Sequence, residues 1–497
     1  MKKLLNILFI VLALCTFSCK KNFEPNLSGL LSTSIFPKTA EEFELYALSA
    51  YKPFGAKWGY SEVDYQNMFF SPEYGHLVMF DLTSDQFAYF PEWGGLWEGF
   101  SKGDFTFLKQ QGKGSHFEKV RLVTKTTQIL ADLEKTTVLS DEKKKQLMAE
   151  VRMARGWMMF YLLHMYGPLP VILDPAKINT AAEADLTRPK RNDFVSAIAS
   201  DLRFAADNLP TNPTDYGRFN KGVALGVLMR LHLNEKDFVN AEKVGREILP
   251  LGYSLVSDYA GLFREATKKN NETIWAVTCD KSANGDNLKG NFNIWGRYCY
   301  PADMKGISMP SGWASPAGAF TPTWAFYDSF DSTDKRRLLM IPSYTSTNGQ
   351  LKTRINMRGP VLRKYPDESG GPDFQGNDIP VLRYADVLLM LAEAINQNSG
   401  PTSEAIGYIN QVRNRSALNN LPAVDVATKD ALNDAILRER GWELYFEGVR
   451  KMDLVRFGKW PSALSGISGK QPGPNYLLPV PQYALDLNGG LTQTPGY

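Results

Sequence analysis

Three glutamates stand four apart in RERGWELYFEGVRKMDLVRFG, residues 438–458: Glu439, Glu443 and Glu447. On a helix that spacing puts them on one face. Paired carboxylates can hydrolyse glycosides, one protonating the leaving oxygen while the other acts from across the sugar ring. One helix cannot easily place two carboxylates on opposite sides of a bond, however. Arg440, Arg450, Arg456 and Asp453 lie in the same stretch. The spacing therefore predicts an ion-paired network that ties helices together, and no catalytic residue.

Other chemistry is sparse. His76, His116, His164 and His232 sit in separate segments, without H-E-x-x-H or Cys/His ligand spacing, so no metal site is expected. There is no G-x-S-x-G elbow, Walker A loop or G-x-G-x-x-G fingerprint, and no cofactor is expected. The acidic stretch DESGGPDFQGND (367–378) lacks the ligand order of a calcium loop and reads as a solvated turn. Cys279 and Cys299 could pair in an oxidising compartment or remain two thiols, and their spacing leaves both open.

Aromatic residues make up 12% of the chain, with 10 Trp and 22 Tyr, enough to ask what they face. Sugar rings have apolar faces that stack on indole and phenol rings while polar neighbours read the hydroxyls. Binding residues of this kind belong on loops held by a rigid frame. Trp58, Trp93, Trp295, Tyr298, Tyr300 and Trp313 all fall in irregular, Gly- and Pro-rich segments and form the candidate ligand-binding set. The run NFNIWGRYCYPADMKGISMPSGW (291–313) concentrates four of them. Trp157 and Trp442 lie in helical stretches and are expected in the core; Trp97 and Trp324 lean the same way.

The elements that would hold these residues are mostly helices. Helical periodicity runs over 39–51, 116–138, 141–166 and 192–208, the third ending at Gly167-Pro168. Residues 220–250 read as a helix, a turn around Glu235–Asp237 and a second helix. Ala224, Gly226, Ala241 and Gly245 allow close antiparallel packing, as in tetratricopeptide-type hairpins. A second hairpin spans 383–416, with its turn at NSGP. Between the hairpins, 280–380 is irregular, with short strands expected near 272–278 and 360–365. The apolar, Pro-punctuated end of the chain is expected to dock on the body. The fold class is mainly α: helical hairpins form a scaffold that carries long loop insertions and a few short strands.

Lys2 and Lys3, the apolar run 7–14 and the small residues after it have the layout of an export signal, too short to span a bilayer. Cys19 follows Ser18, which is small enough for a lipoprotein signal peptidase; Leu14 before Cys15 is bulky. Residues 1–18 are thus expected to be removed and Cys19 to carry acyl chains that tether the protein. The formal charge of +3 argues against nucleic acid as a partner.

Several stretches together resemble the SusD/RagB family of surface lipoproteins from Bacteroidetes-type bacteria. They are Cys19 followed by NFEP, RMARGWMMFYLLHMYGPLPVI (152–172), RYADVLLMLAEAIN (383–396), INQVRNRS (409–416), ILRERGWELYFEGVRKMDLVRFGKW (436–460) and the ending LPVPQYALDLNGGLTQTPGY. The resemblance implies an N-terminal helical region (19–255) and a C-terminal RagB/SusD region (256–497) in one compact unit. It implies a lid-like partner role with a SusC-like TonB-dependent outer-membrane transporter. It also implies capture of oligosaccharide or polysaccharide without turnover, and outer-membrane attachment facing the cell exterior. Within the family the cargo could instead be peptide or another nutrient. A glycoside hydrolase using the 439–447 carboxylates is the enzymatic alternative.

Overall fold

The computed structural model describes residues 36–56, 68–71, 74–89, 96–111, 115–180, 186–280, 291–307, 320–366, 368 and 375–497. Helix α1 (Ala40–Leu48) starts at Thr39, whose hydroxyl accepts from Glu42 N–H while the Glu42 carboxylate accepts from Thr39 N–H. This reciprocal cap satisfies two donors that the first turn leaves free. The 39–51 periodicity overruns here, because Ser49–Phe54 tightens into a 3-10 turn around Pro53. Helices α2 (Lys119–Lys135), α3 (Asp141–Tyr166) and α4 (Arg191–Asn208) follow. Next come α5 (Lys221–Asn234) and α6 (Phe238–Ile248). Asn220 and Asp237 cap α5 and α6 through their side-chain oxygens. Gly167, at φ 77°, ends α3 in a conformation that favours glycine.

Each of these helices from α2 to α6 packs on the next. The stack then skips a long stretch of chain. Helix α7 (Tyr384–Ser399) lies directly on α6, and α8 (Ser403–Arg415) and α9 (Lys429–Glu443) lie on α7. The two hairpins read from the sequence are thus neighbours in space. Gly245 makes the join possible: a Cβ there would come 2.6 Å from Met229 Cε on α5 and 3.1 Å from Leu391 Cδ1 on α7. A short helix, α10 (Arg450–Arg456), follows. Among the described residues, no helix is long and apolar enough to cross a membrane.

The insertion between α6 and α7 contributes most strands of four small antiparallel ladders; β1 comes from before α2. β1 (Phe87–Tyr89) pairs with β3 (Phe320–Pro322), and β2 (Thr273–Val277) with β8 (Ile379–Arg383). β4 (Met340–Ile341) pairs with β7 (Val361–Leu362), and β5 (Tyr344–Thr345) with β6 (Leu351–Lys352). Two-stranded ladders are stable only when packed on something larger. β8 lies against α5 so closely that a Cβ at Gly226 would meet Leu382 Cδ2 at 2.1 Å. The C-terminal segment docks as expected. Leu478 N–H donates to the Met165 carbonyl at 2.6 Å, and Arg188 donates to the carbonyls of Tyr166, Pro168 and Thr492.

Candidate ligand face and the charge core beneath it

The β1–β3 ladder carries a cluster of rings. Phe320 is buried between Trp97, Trp295 and Tyr298, with ring centroids 5.3, 5.8 and 5.9 Å away. Trp97 meets Tyr298 edge-on at 5.5 Å, and Trp295 meets Phe446 edge-on at 5.0 Å. Edge-to-face packing of this kind adds to the area term and fixes ring orientation. Trp295 and Tyr298 come from the single-turn helix Trp295–Cys299 and its approach; Trp97 comes from the short helix Leu96–Lys102. Tyr300 lies in a separate small cluster with Tyr344 and Val361, its hydroxyl donating to the Tyr365 carbonyl at 2.9 Å.

Three of the six candidate ligand residues are therefore interior. Trp295, Tyr298 and Tyr300 are 1%, 3% and 1% exposed, and in this arrangement none offers a free face for stacking. The reason is mutual packing: an irregular segment can still be interior when its rings cover one another. The Trp295 indole N–H is a buried donor with no acceptor among the described residues. Trp58, Trp93 and Trp313 lie outside the described residues, as does Cys19. In sequence, Trp93 stands four residues before Trp97 and Trp313 seven before Phe320.

The glutamate triad is structural. Glu439, Glu443 and Glu447 are buried at 0%, 0% and 3%. Arg336 bonds Asp334, Glu439 and Glu443, and Arg383 bonds Glu272, Glu443 and Glu447. Arg415 bonds Glu272 and Glu443, Arg413 bonds Glu439 and Lys364 bonds Glu447. The five carboxylates and five cations balance, as burial demands. Burial alone would raise the Glu443 carboxyl, but Arg415, Arg383 and Arg336 outweigh it and hold it well below the usual carboxylate range. A second balanced set joins Arg230, Arg440 and Arg456 to Asp386, Glu393 and Asp453. Burial opposes ionisation of Asp386 too, yet Arg440 and Arg230 bring it to about 2. Carboxylates so held are poor proton donors and acceptors near neutral pH.

The remaining polar groups follow the same logic. His76 is buried and pushed down to about 3 by desolvation; His116 touches Lys119 and the Tyr74 carbonyl. No group of His, Cys, Asp or Glu among the described residues is arranged to hold a metal. Cys279 and Cys299 are buried free thiols. The 367–378 stretch departs from a solvated turn where it is described. Asp378 is buried, accepting from Tyr216 O–H at 2.6 Å and Cys279 N–H at 2.9 Å, with Lys268 at 3.1 Å. Trp157 is fully buried. Trp442 is only partly so, because its helix face abuts a surface depression where its indole N–H donates to Ser329 Oγ at 3.0 Å.

The helical stack, the inserted ladders and the buried charge sets define a member of a known class. Residues 335–497 match the SusD family, and residues 115–233 match a family described as "Starch-binding associating with outer membrane". The chain belongs to the SusD/RagB family. SusD-like protein P2 of Formosa agariphila is 25% identical over 99% of both chains. The starch-binding protein SusD of Bacteroides thetaiotaomicron is 23% identical over 76% of this chain and 78% of its own. Among solved structures, a SusD superfamily protein of Bacteroides vulgatus superposes with a TM-score of 0.75 at 22% identity, covering 92% of this chain and 99% of its own. A laminarin-binding SusD-like protein gives 0.74 at 22% identity, covering 93% and 100%. These likenesses establish the mainly α, SusD-like fold.

Proposed function

We propose that this chain binds oligosaccharide or polysaccharide and passes it, without chemical change, to a SusC-like TonB-dependent outer-membrane transporter that it covers as a lid. The observation that carries the reading is the packed ring cluster Trp97–Trp295–Tyr298–Phe320, bordered in sequence by Trp93 and Trp313. Such a cluster supplies a rigid base from which loop aromatics can stack on sugar faces. Trp58, Trp93 and Trp313 take the stacking role in this reading. Trp295, Tyr298 and Tyr300 act from below, by positioning. Relatives named for starch binding and neighbours named for laminarin binding support a glycan as the cargo. The full engagement of Glu439, Glu443 and Glu447 with cations supports binding rather than hydrolysis. Acylation at Cys19 after removal of residues 1–18 would tether the protein to the outer membrane, on the exterior face, with regions 19–255 and 256–497 working as one unit.

Alanine at Trp93 and at Trp313, titrated with laminarin and with soluble starch, tests the stacking role. Each substitution is expected to weaken binding about tenfold, the loss of roughly 1.4 kcal/mol of ring contact, and to leave the unfolding midpoint unchanged. Unaltered affinity in both variants would refute it.

A further inference from the structure

The loop between α4 and α5, the turn after α6 and the start of β2 frame a cavity of about 420 Å³. That volume lies inside the range of about 300–1,000 Å³ usual for small-molecule sites. The cavity shares no lining residue with the β1–β3 ring cluster. Its chemistry is neutral: Arg218 is the one charged side chain among the described residues that line it. That guanidinium is already engaged, by Glu150 at 2.7 Å, Glu44 at 3.2 Å and Asp215 at 3.5 Å. A charged ligand would therefore meet no free counter-charge in the wall, and burying it there would be costly.

Three rings are among the described residues that line the cavity. Trp275, 5% exposed, closes the floor, its indole N–H donated to the Gly217 carbonyl at 3.1 Å. The Tyr253 hydroxyl packs on Gly222, where a Cβ would come 2.3 Å from it, so Tyr253 offers ring surface alone. Tyr216 is 46% exposed, and its hydroxyl is pinned by donation to the buried Asp378 carboxylate. Lys269 Nζ lies 4.6 Å from the Tyr216 ring centroid but does not line the cavity, so the ring turns another side to it. Beside the rings, the side chains of Thr211, Asn212 and Asn271 have no hydrogen-bond partner among the described residues. Asn271 is held by its backbone. Its carbonyl accepts from Ser254 N–H at 3.1 Å, and the neighbouring Asn270 Oδ1 accepts from the N–H groups of Glu272 and Thr273. Accessible ring surface beside uncommitted amides and a hydroxyl, with no free charge, matches a neutral sugar: an apolar ring face for the aromatic, hydroxyls for the amides. A wall already fixed by its own hydrogen bonds lowers the ordering cost of binding.

We propose that this cavity is a second sugar site, which holds a neutral unit of a glycan with its ring face on Tyr216 and its hydroxyls bonded to Asn271, Asn212 and Thr211. The proposal rests on the reading of the chain as a glycan binder and adds a contact on other elements than those that carry Trp93 and Trp313. Two sites on one chain hold a polymer that reaches both more tightly than either alone, because the second contact forms within a complex already made.

The test is calorimetric titration of the mature chain, made lipid-free by Cys19→Ser, with laminarihexaose, maltohexaose, xylohexaose and mannohexaose. Trigalacturonate is the charged control and a peptide digest the non-sugar control. A neutral hexasaccharide is expected to bind at two places on the chain. In a Trp93→Ala/Trp313→Ala chain one of them should remain, and adding Tyr216→Ala should weaken it about tenfold, the loss of one ring contact. Tyr216→Phe, which keeps the ring and loses only the hydroxyl bond to Asp378, should bind as the parent does. Asn271→Ala, on the surface, should weaken the site several-fold without shifting the unfolding midpoint. No residual binding in the Trp93→Ala/Trp313→Ala chain, or residual binding that Tyr216→Ala and Asn271→Ala both leave unchanged, would overturn the second site and leave the glycan reading standing. So would trigalacturonate or peptide bound as tightly as any neutral sugar and lost in Tyr216→Ala. Silence of the parent chain toward every hexasaccharide would overturn both readings.

Discussion

Arg383 holds three buried carboxylates from different parts of the chain: Glu272 before β2, Glu443 at the end of α9 and Glu447 beyond it. Arg383→Met leaves those charges short of a partner in a dry interior. The expected cost is about 3–5 kcal/mol in urea unfolding; a loss under 1 kcal/mol would mean that water reaches the network. Glu443→Gln should likewise destabilise, and polysaccharide incubated with wild type or variant should release no sugar. Lys451 and Lys470 set a pH dependence. Burial lowers both from 10.5 to about 7. Between those values the unfolded chain holds protons that the folded chain has released, so stability falls as pH drops from about 10 towards 7 and levels off below 7, where both states hold them. The slope is about 1.4 kcal/mol per pH unit for each group, and Lys451→Met should remove its share from thermal melts at pH 7–9. The triad's structural role was legible from its four-residue spacing among arginines. Its partners Glu272, Asp334 and Arg336 were not, since nothing in a local pattern tells which distant charges will meet it.

At the scale of elements, the junction of α6 with α7 decides whether the two hairpins are one unit. Leu391 of α7 is fully buried beside Gly245. Leu391→Ala should cost about 2–5 kcal/mol and shift a single urea transition as a whole; two separated transitions would show that the hairpins unfold independently. Trp295→Ala should cost about 3–5 kcal/mol, because that ring is a foundation of the β1–β3 cluster. Helix boundaries were legible to within a few residues wherever caps and breakers mark them, as at Asn220, Asp237 and Gly167. The three-residue strands β1 and β3 were not: they pair across more than 200 residues, and their stability comes from the rings packed on them. The same packing explains why Trp295 and Tyr298 read as loop aromatics and are found inside, and a separate cluster with Tyr344 and Val361 does the same for Tyr300. Trp442 shows the reverse, an apolar residue in a helical pattern whose face meets a surface depression.

At the scale of the molecule, the stacked helices and their buried charge sets form one continuous frame, and the β1–β3 ring cluster packs on it through Phe446. The fold class was legible because many matching stretches occur in one order along the chain. The identity of the ligand was not, because it depends on which rings reach the surface. The most direct measurement is a calorimetric titration of the lipid-free mature chain against laminarin, starch, other plant and microbial polysaccharides, and a peptide digest. A saturable signal with one polysaccharide class, lost on alanine substitution of Trp93 or Trp313, is the expected result. Silence from every polysaccharide, or a signal from the peptide digest alone, would contradict glycan capture as the role of this chain.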